Sequence, residues 1–432
     1  MTDAAGLARK ARQHAAEGGW VSRSRTRPLS IQAVGADVTV SQPPAREGTV
    51  VRRVADGVQR EWAVPGWHDD WVPQAQPPEK VVWVGDTPVD RVPLKDKVDW
   101  VREVRARLAA RDPRVVQSMA FYAEQLEERH ITSRDVERSS RLARVVFAVV
   151  AVVADRGRTD QNRILRAHLG GFDDAPQLDD AALDAMVEEA LLQLEAVPIA
   201  PGTYRAVIAP EVSGVLAHEA FGHGVEMDLF LSGRAHAAQA MGQRVGSPLA
   251  TIVDDPTLAG AYASYPFDDD GTLAARHVIL DRGVLVGGLS DDEVRGALGA
   301  TGGNGRRQDY SRKVYPRMSN TFFEPGTDTV DNLIRGVESG VYLRQVDSGT
   351  EDPKGWGMQM VIHAAREIRE GRLTGRRFRT MSMTGYVPDV LSTIDGAATD
   401  FALLPGQCGK GWKEWVNVAT GGPHLRLTAR LG

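Results

Sequence analysis

Six consecutive residues, His218-Glu219-Ala220-Phe221-Gly222-His223, together with Cys408, the only cysteine in 432 residues, carry the side chains of a divalent-metal site. Two imidazoles and a thiolate are three soft or borderline ligands that leave a fourth position open. A carboxylate beside the first imidazole can serve as base for a metal-bound water. His218, His223 and Cys408 are therefore the candidate ligands and Glu219 the candidate general base. The chain reads as a metal-dependent peptidase. A thiolate in the ligand set favours one transition metal, zinc first and ferrous iron second, over magnesium.

The element that must position the motif is a helix. Pro210 fits its first position, where a missing N–H costs nothing, and Glu211 adds negative charge at the positive end. Val212, Val215 and Leu216 make an apolar stripe, and Glu219 and His223 fall on that same inward face. An inward carboxylate needs a cationic neighbour or a metal-linked partner. The two histidines are five apart, so in a straight α-helix they diverge by about 140°. Either a π-type turn aligns them or the helix breaks at Gly222 and His223 swings round; the glycine break or bulge is the favoured expectation.

Around this helix the pattern is α+β. An N-terminal α+β domain is expected over residues 1–199 and a β-rich C-terminal domain, carrying the metal-binding helix, over 200–432, with the boundary near Ile199-Ala200-Pro201-Gly202. In the first, 4–17 permit helix, while Leu29–Val34, Asp37–Val40 and Thr49–Val54 look like hairpin strands. Residues 63–79, with Pro65, Pro73, Pro77 and Pro78 beside Trp67 and Trp71, read as a long loop, because proline removes backbone donors. Val98–Ala110 and Asp179–Leu194 read as helices; Val115–Leu126 and Arg144–Asp155 read as strands. In the second, tight turns are expected at Asp281-Arg282-Gly283 and at Arg369-Glu370-Gly371-Arg372, and the tail from Trp415 to Leu431 alternates toward strand.

Composition sets the frame. A net charge of -5 gives no electrostatic case for nucleic acid or a membrane surface. One cysteine excludes an internal disulfide framework and suits a reducing compartment. The first 19 residues lack the apolar core of a secretion signal, and the longest apolar run, Val145–Ala154, falls short of the roughly 20 residues that cross a bilayer. The expected location is the cytoplasm.

The segments Val215–Glu226, Thr251–Pro256, Asp268–Gly271, Pro316–Thr321 and Leu404–Gly409 resemble, in that order, blocks of the TldD/PmbA metallopeptidases, specifically the metal-bearing TldD type. The resemblance covers residues 200–432 well and the first domain weakly. It implies metal ligation by His218, His223 and Cys408, general-base catalysis by Glu219, and hydrolysis of unfolded or leader peptides bound as extended strands. It also implies a dimer, either of one chain or with a metal-free PmbA/TldE-like partner.

Other residues carry weaker signals. Glu226 and Asp228 can orient an imidazole or stand as solvated charges after the helix. Asp268-Asp269-Asp270 precedes Gly271 and fits a solvated turn, so no metal is placed there. His424 reads as a strand-surface histidine and Trp356 as a buried residue beside a bulge. Two alternatives stand beside the metallopeptidase: a cysteine peptidase with Cys408 as nucleophile, in which Glu219 has no evident role, and a non-catalytic peptide-binding subunit of a heterodimer.

Overall fold

The long apolar alternations of the first half close into one sheet. The computed structural model describes residues 4–17, 19–55, 58–71, 79–84, 91–133, 135–174, 178–412 and 414–432. After helix α1 (Ala4–Ala16) come strands β1 (Trp20–Val34), β2 (Asp37–Ser41), β3 (Arg46–Ala55), β4 (Val58–Pro65) and β5 (Glu79–Val84). Helix α2 (Leu94–Ala109), β6 (Val115–Thr132), β7 (Val136–Asp155), β8 (Arg158–Leu169) and helix α3 (Asp180–Gln193) follow. The strands form an eight-stranded sheet in the order β4-β3-β1-β6-β7-β5, with β2 added to β1 and β8 to β7. Every second residue of β7 from Val145 to Val153 is buried, the period-two signature of a strand with one covered face. Val101, Val104 and Leu108 of α2 and Leu183, Met186 and Val187 of α3 cover that face. Asp179 caps α3 by accepting from the Ala182 N–H at 2.8 Å, worth about 1 kcal/mol.

The strands and helices expected here all form, most of them longer than expected. The Pro- and Trp-rich stretch differs: Ala63–Pro65 completes β4, and Trp71 is buried against α1. Pro73, Pro77 and Pro78 lie outside the described residues.

The second half opens with β9 (Gly202–Ile208) and helix α4 (Pro210–Ala217). It then runs through β10 (Ile252–Asp254), β11 (His277–Asp281), β12 (Val284–Leu285), β13 (Gly305–Arg306), β14 (Tyr315–Pro316) and β15 (Asn320–Phe323). The last strands are β16 (Ser339–Asp352), β17 (Gly357–Arg369), β18 (Arg372–Tyr386), β19 (Gly396–Ala397), β20 (Ala402–Lys410), β21 (Glu414–Gly422) and β22 (Leu425–Leu431). Strands β18-β17-β16-β9-β22 run in order, and a further β18–β22 pairing closes them into a ring. A second sheet runs β12-β11-β10-β15-β21-β20. Both expected tight turns form: Arg282 and Gly283, and Glu370 and Gly371, take positive φ at both central positions, as two-residue hairpins require. The architecture is α+β throughout, and no helix among the described residues is long and apolar enough to cross a membrane.

Helix α4 lies between these two sheets. A Cβ on Gly214 would stand 2.4 Å from the Gly421 nitrogen, so glycine allows the helix to sit directly on β21. Ser213 ties it further by donating to the Pro423 carbonyl at 2.8 Å. Val212, Leu216, Ala217, Phe221 and Val225 are buried in the same core, at roughly 1.5–3 kcal/mol for each of the larger side chains.

The acidic triplet corrects an expectation. Asp268, Asp269 and Asp270 are buried rather than solvated. Asp268 accepts backbone N–H groups from Asp270, Thr272 and Gly305; Asp269 pairs with Arg129 at 3.2 Å and Asp270 with Arg52 at 2.5 Å. Two arginines from the first sheet thus meet carboxylates of the second half, a partnership that sequence distance conceals.

Candidate metal centre

The helix does not break at Gly222. Residues His218–Gly222 make a π-type turn directly after α4, followed by a tight turn over His223–Val225. Gly222 keeps right-handed helical angles, φ -59 and ψ -57. One extra residue in the turn brings side chains five apart onto one side, so the imidazoles of His218 and His223 sit 5.2 Å apart, centroid to centroid, at 88°. Glycine at 222 serves packing instead of flexibility, since a Cβ there would fall 1.8 Å from the Met318 sulfur.

Strand β20 supplies the third group. It pairs with β21, on which α4 rests, and this carries Cys408 to the π turn: Cys408 Sγ lies 3.4 Å from His223 Nε2. One ligand atom from each of His218, His223 and Cys408 lies within 4.8 Å of the others. Bonds of 2.0–2.3 Å in a tetrahedral site put neighbouring ligand atoms about 3.5 Å apart, so the trio needs only a small contraction to close on an ion. The donor set, two nitrogens and one sulfur, suits a borderline transition metal. His218 Nδ1 is buried with no hydrogen-bond partner, a further sign of fit.

Charges around the trio are strongly perturbed. Burial alone would push the Cys408 thiol up, but the neighbouring His218 and His223 outweigh it and hold the thiol well below its usual range. Burial would lower His223, yet Glu226 and Cys408 raise it well above an ordinary histidine. Both directions favour a thiolate beside an imidazolium, and a metal ion would take the place of the imidazolium proton.

Glu226 is the group behind His223. It is buried, not solvated, and its Oε2 lies 3.2 Å from His223 Nδ1, which leaves Nε2 to face Cys408. Burial would raise Glu226, but Lys410 at 3.1 Å, His223 and Arg317 bring it down to about 2. Arg317, fully buried, also donates to the Cys408 carbonyl at 2.5 Å and so ties the thiol's strand to the same carboxylate. Asp228 holds the other side of Lys410 at 2.8 Å and does not reach a histidine through any hydrogen bond among the described residues.

Glu219 is half-buried and packs on β16, where a Cβ on Gly349 would meet its Cγ at 2.5 Å. Two positions along the same strand, Glu351 accepts from the Gly224 N–H at 2.9 Å, and burial pushes its carboxyl up to about 9. Sequence reasoning assigned no role to Glu351, Arg317 or Lys410. Arg317 and Lys410 stand within or beside the blocks that carry the resemblance; nothing marks Glu351, whose contact spans 127 residues. His424 also departs from expectation: it sits in the turn before β22, bonded to Tyr342 Oη at 2.8 Å and Asp400 at 2.6 Å. Trp356 is buried as expected, in a residue with φ 53 at the turn between β16 and β17.

Comparison with known proteins adds an independent line. Residues 201–430 match the family described as PmbA/TldA metallopeptidase C-terminal domain, and residues 87–196 match its central domain. A Methanothermobacter thermautotrophicus protein named metalloprotease is 33% identical over 66% of this chain and 62% of its own length. The matched stretch spans 58% of a similarly named Methanocaldococcus jannaschii protein that is 34% identical over 61% of this chain. A Saccharolobus solfataricus relative named zinc metalloprotease TldD homolog is 25% identical over 77% of this chain and 75% of its own. Among solved structures, a Thermotoga maritima protein described as a candidate modulator of a DNA gyrase superposes with a TM-score of 0.79 at 17% identity, covering 99% of both chains. TldE from Thermococcus kodakarensis does so with a TM-score of 0.72 at 14% identity, again over 99% of both. At those identities the two structures establish a shared fold.

Proposed function

The chain belongs to the TldD/PmbA family of metallopeptidases, and on that premise we propose that it hydrolyses peptide bonds in unfolded or leader peptides, with Glu219 as general base and His218, His223 and Cys408 as metal ligands. The observation that carries the reading is the convergence of two imidazoles five residues apart with one thiolate 185 residues beyond the second, beside a half-buried carboxylate. A bound divalent cation, zinc in first place, would supply Lewis acidity toward the scissile carbonyl and toward water. Glu219 takes the proton of the attacking water and delivers it to the leaving amine. Glu226 fixes the His223 tautomer, while Arg317 and Lys410 keep Glu226 ionised and in place. A peptide would bind extended, read mainly through its backbone. The working assembly would be a dimer, of one chain or with a TldE-like partner, in the cytoplasm.

One feature favours a second reading. The 3.4 Å pair of Cys408 and His223, with Glu226 behind the imidazole, also has the order of a cysteine-peptidase triad. That reading leaves His218 and Glu219 without work. Chelator treatment of the purified protein, followed by re-addition of zinc, separates the two. Loss and recovery of peptide cleavage supports the metallopeptidase; cleavage that survives chelation but stops on thiol alkylation supports the cysteine peptidase.

A further inference from the structure

Alternate residues of a strand face the same way, and the end of β16 uses this to reach both working parts of the π turn. Gly349, lacking a side chain, lets Glu219 lie against the strand. Glu351, two residues on, sends its carboxyl group to the backbone just beyond His223, where Oε2 accepts the Gly224 N–H at 2.9 Å. We infer that Glu351 is a positioning residue for the metal centre: docked on the Gly224 amide, its carboxyl group holds the turn that aims His223 at Cys408 and the ion.

Three further observations support the assignment. A Cβ on Gly224 would stand 2.5 Å from Glu351 Oε1, so the glycine at 224 is what admits the carboxyl group to the backbone. Among the described residues Glu351 Oε1 is buried without a hydrogen-bond partner, as is the indole N–H of Trp356, which would stand 3.4 Å from that same Cβ. Unpaired buried polar atoms are uncommon, and each calls for a physical reason. Trp356 in turn packs on Phe221 of the π turn, at 5.7 Å between ring centroids, and on His236 at 4.8 Å, which closes the strand end over the turn. No bond from Glu351 to a ligand atom is needed; it acts through the backbone of the residue after His223.

The inference rests on the metal-site reading above, and the test keeps the two apart. Zinc affinity of the whole chain is measured by competition with a chromophoric chelator, alongside thermal melting of the metal-free protein, for the wild type, Glu351→Ala, Glu351→Gln and Gly224→Ala. Glu351→Ala and Gly224→Ala should each weaken zinc binding about 10–100-fold, the range for groups that orient metal ligands. Glu351→Gln, whose amide oxygen can still accept the Gly224 N–H, should recover most of that loss. The double variant Glu351→Ala with Gly224→Ala should bind no more weakly than the worse single variant, because both break one contact. Wild-type affinity in Glu351→Ala, or a Gln variant as weak as the Ala variant with unchanged melting, overturns the assignment. Absence of zinc binding by the wild type itself overturns the metal-site reading and the inference with it.

Discussion

Two buried polar clusters lie in the second half of the chain, and they differ in how completely their carboxylate oxygens are bonded. In the Asp268–Asp270 cluster every carboxylate oxygen has a partner: backbone N–H groups of Asp270, Thr272, Gly305, Arg307 and Asp292, and the guanidiniums of Arg129 and Arg52. Around His218, His223 and Cys408 the opposite holds. His218 Nδ1, Glu226 Oε1, Glu351 Oε1, Trp356 Nε1 and Arg317 Nε are all buried and make no hydrogen bond among the described residues. Burial of charge is thus common to both. Every carboxylate oxygen is bonded in the cluster that joins the first sheet to the second half, although Arg129 Nε there has no hydrogen bond among the described residues, whereas Glu226 Oε1 and Glu351 Oε1 stay unpaired beside the His218, His223 and Cys408 trio.

The sharpest way to break this comparison is at Glu219. Glu219→Gln keeps size and packing on Gly349 but removes the base, so peptide cleavage should fall about 10²–10⁴-fold while stoichiometric metal is retained. Cleavage by the Gln variant at the wild-type rate would remove Glu219 from the chemistry.

Next in size is the structural cluster. Asp270→Ala takes from buried Arg52 its 2.5 Å partner and leaves it Glu61 at 2.7 Å and Asp292 at 3.8 Å, and should cost about 3 kcal/mol in denaturant unfolding with zinc affinity unchanged. A variant that unfolds normally but loses metal would erase the distinction between the clusters.

Glu226→Gln should weaken zinc binding about 10–100-fold, since it removes the charge that orients His223 and leaves Lys410 and Arg317 facing a neutral amide. Affinity unchanged in a chelator competition would show that the carboxylate does not orient the ligand.

The smallest effect is on pH. Because His223 is raised well above the usual histidine value while Cys408 is held well below the usual thiol value, the proton that metal binding must expel near neutrality comes from the imidazole. Apparent zinc affinity should therefore fall about tenfold for each pH unit below the raised His223 value, and Glu226→Gln, which removes a cause of the rise, should move the onset of that fall to lower pH. Apparent affinity independent of pH across the neutral range would contradict the charge assignment.

The sequence carried different parts of this account unequally. The strands of the first sheet were legible because one covered face imposes strict alternation, as along Val145–Val153. The grouping of His218, His223 and Cys408, which the structure brings together, was legible because these residue types are scarce and chemically specific. The π turn was not: choosing between it and a break at Gly222 depended on Met318, whose sulfur fills the space beside that glycine from 96 positions away in numbering, and on no local signal. The burial of Asp268–Asp270 was hidden for the same reason, since Arg52 and Arg129 come from distant strands of the first sheet. Glu351 shows the limit most clearly. A lone carboxylate late in an ordinary strand acquires its place only when β16 folds against the turn after His223.

The most direct test of the central claim is anomalous scattering at the zinc and iron absorption edges from a crystal of the purified protein. The account predicts one strong peak, in bonding reach of about 2.0–2.3 Å from a nitrogen of His218, a nitrogen of His223 and the sulfur of Cys408, with the Glu219 carboxylate facing its open side. A metal peak held by other residues, or a metal-loaded active protein with no peak among these three side chains, would contradict it.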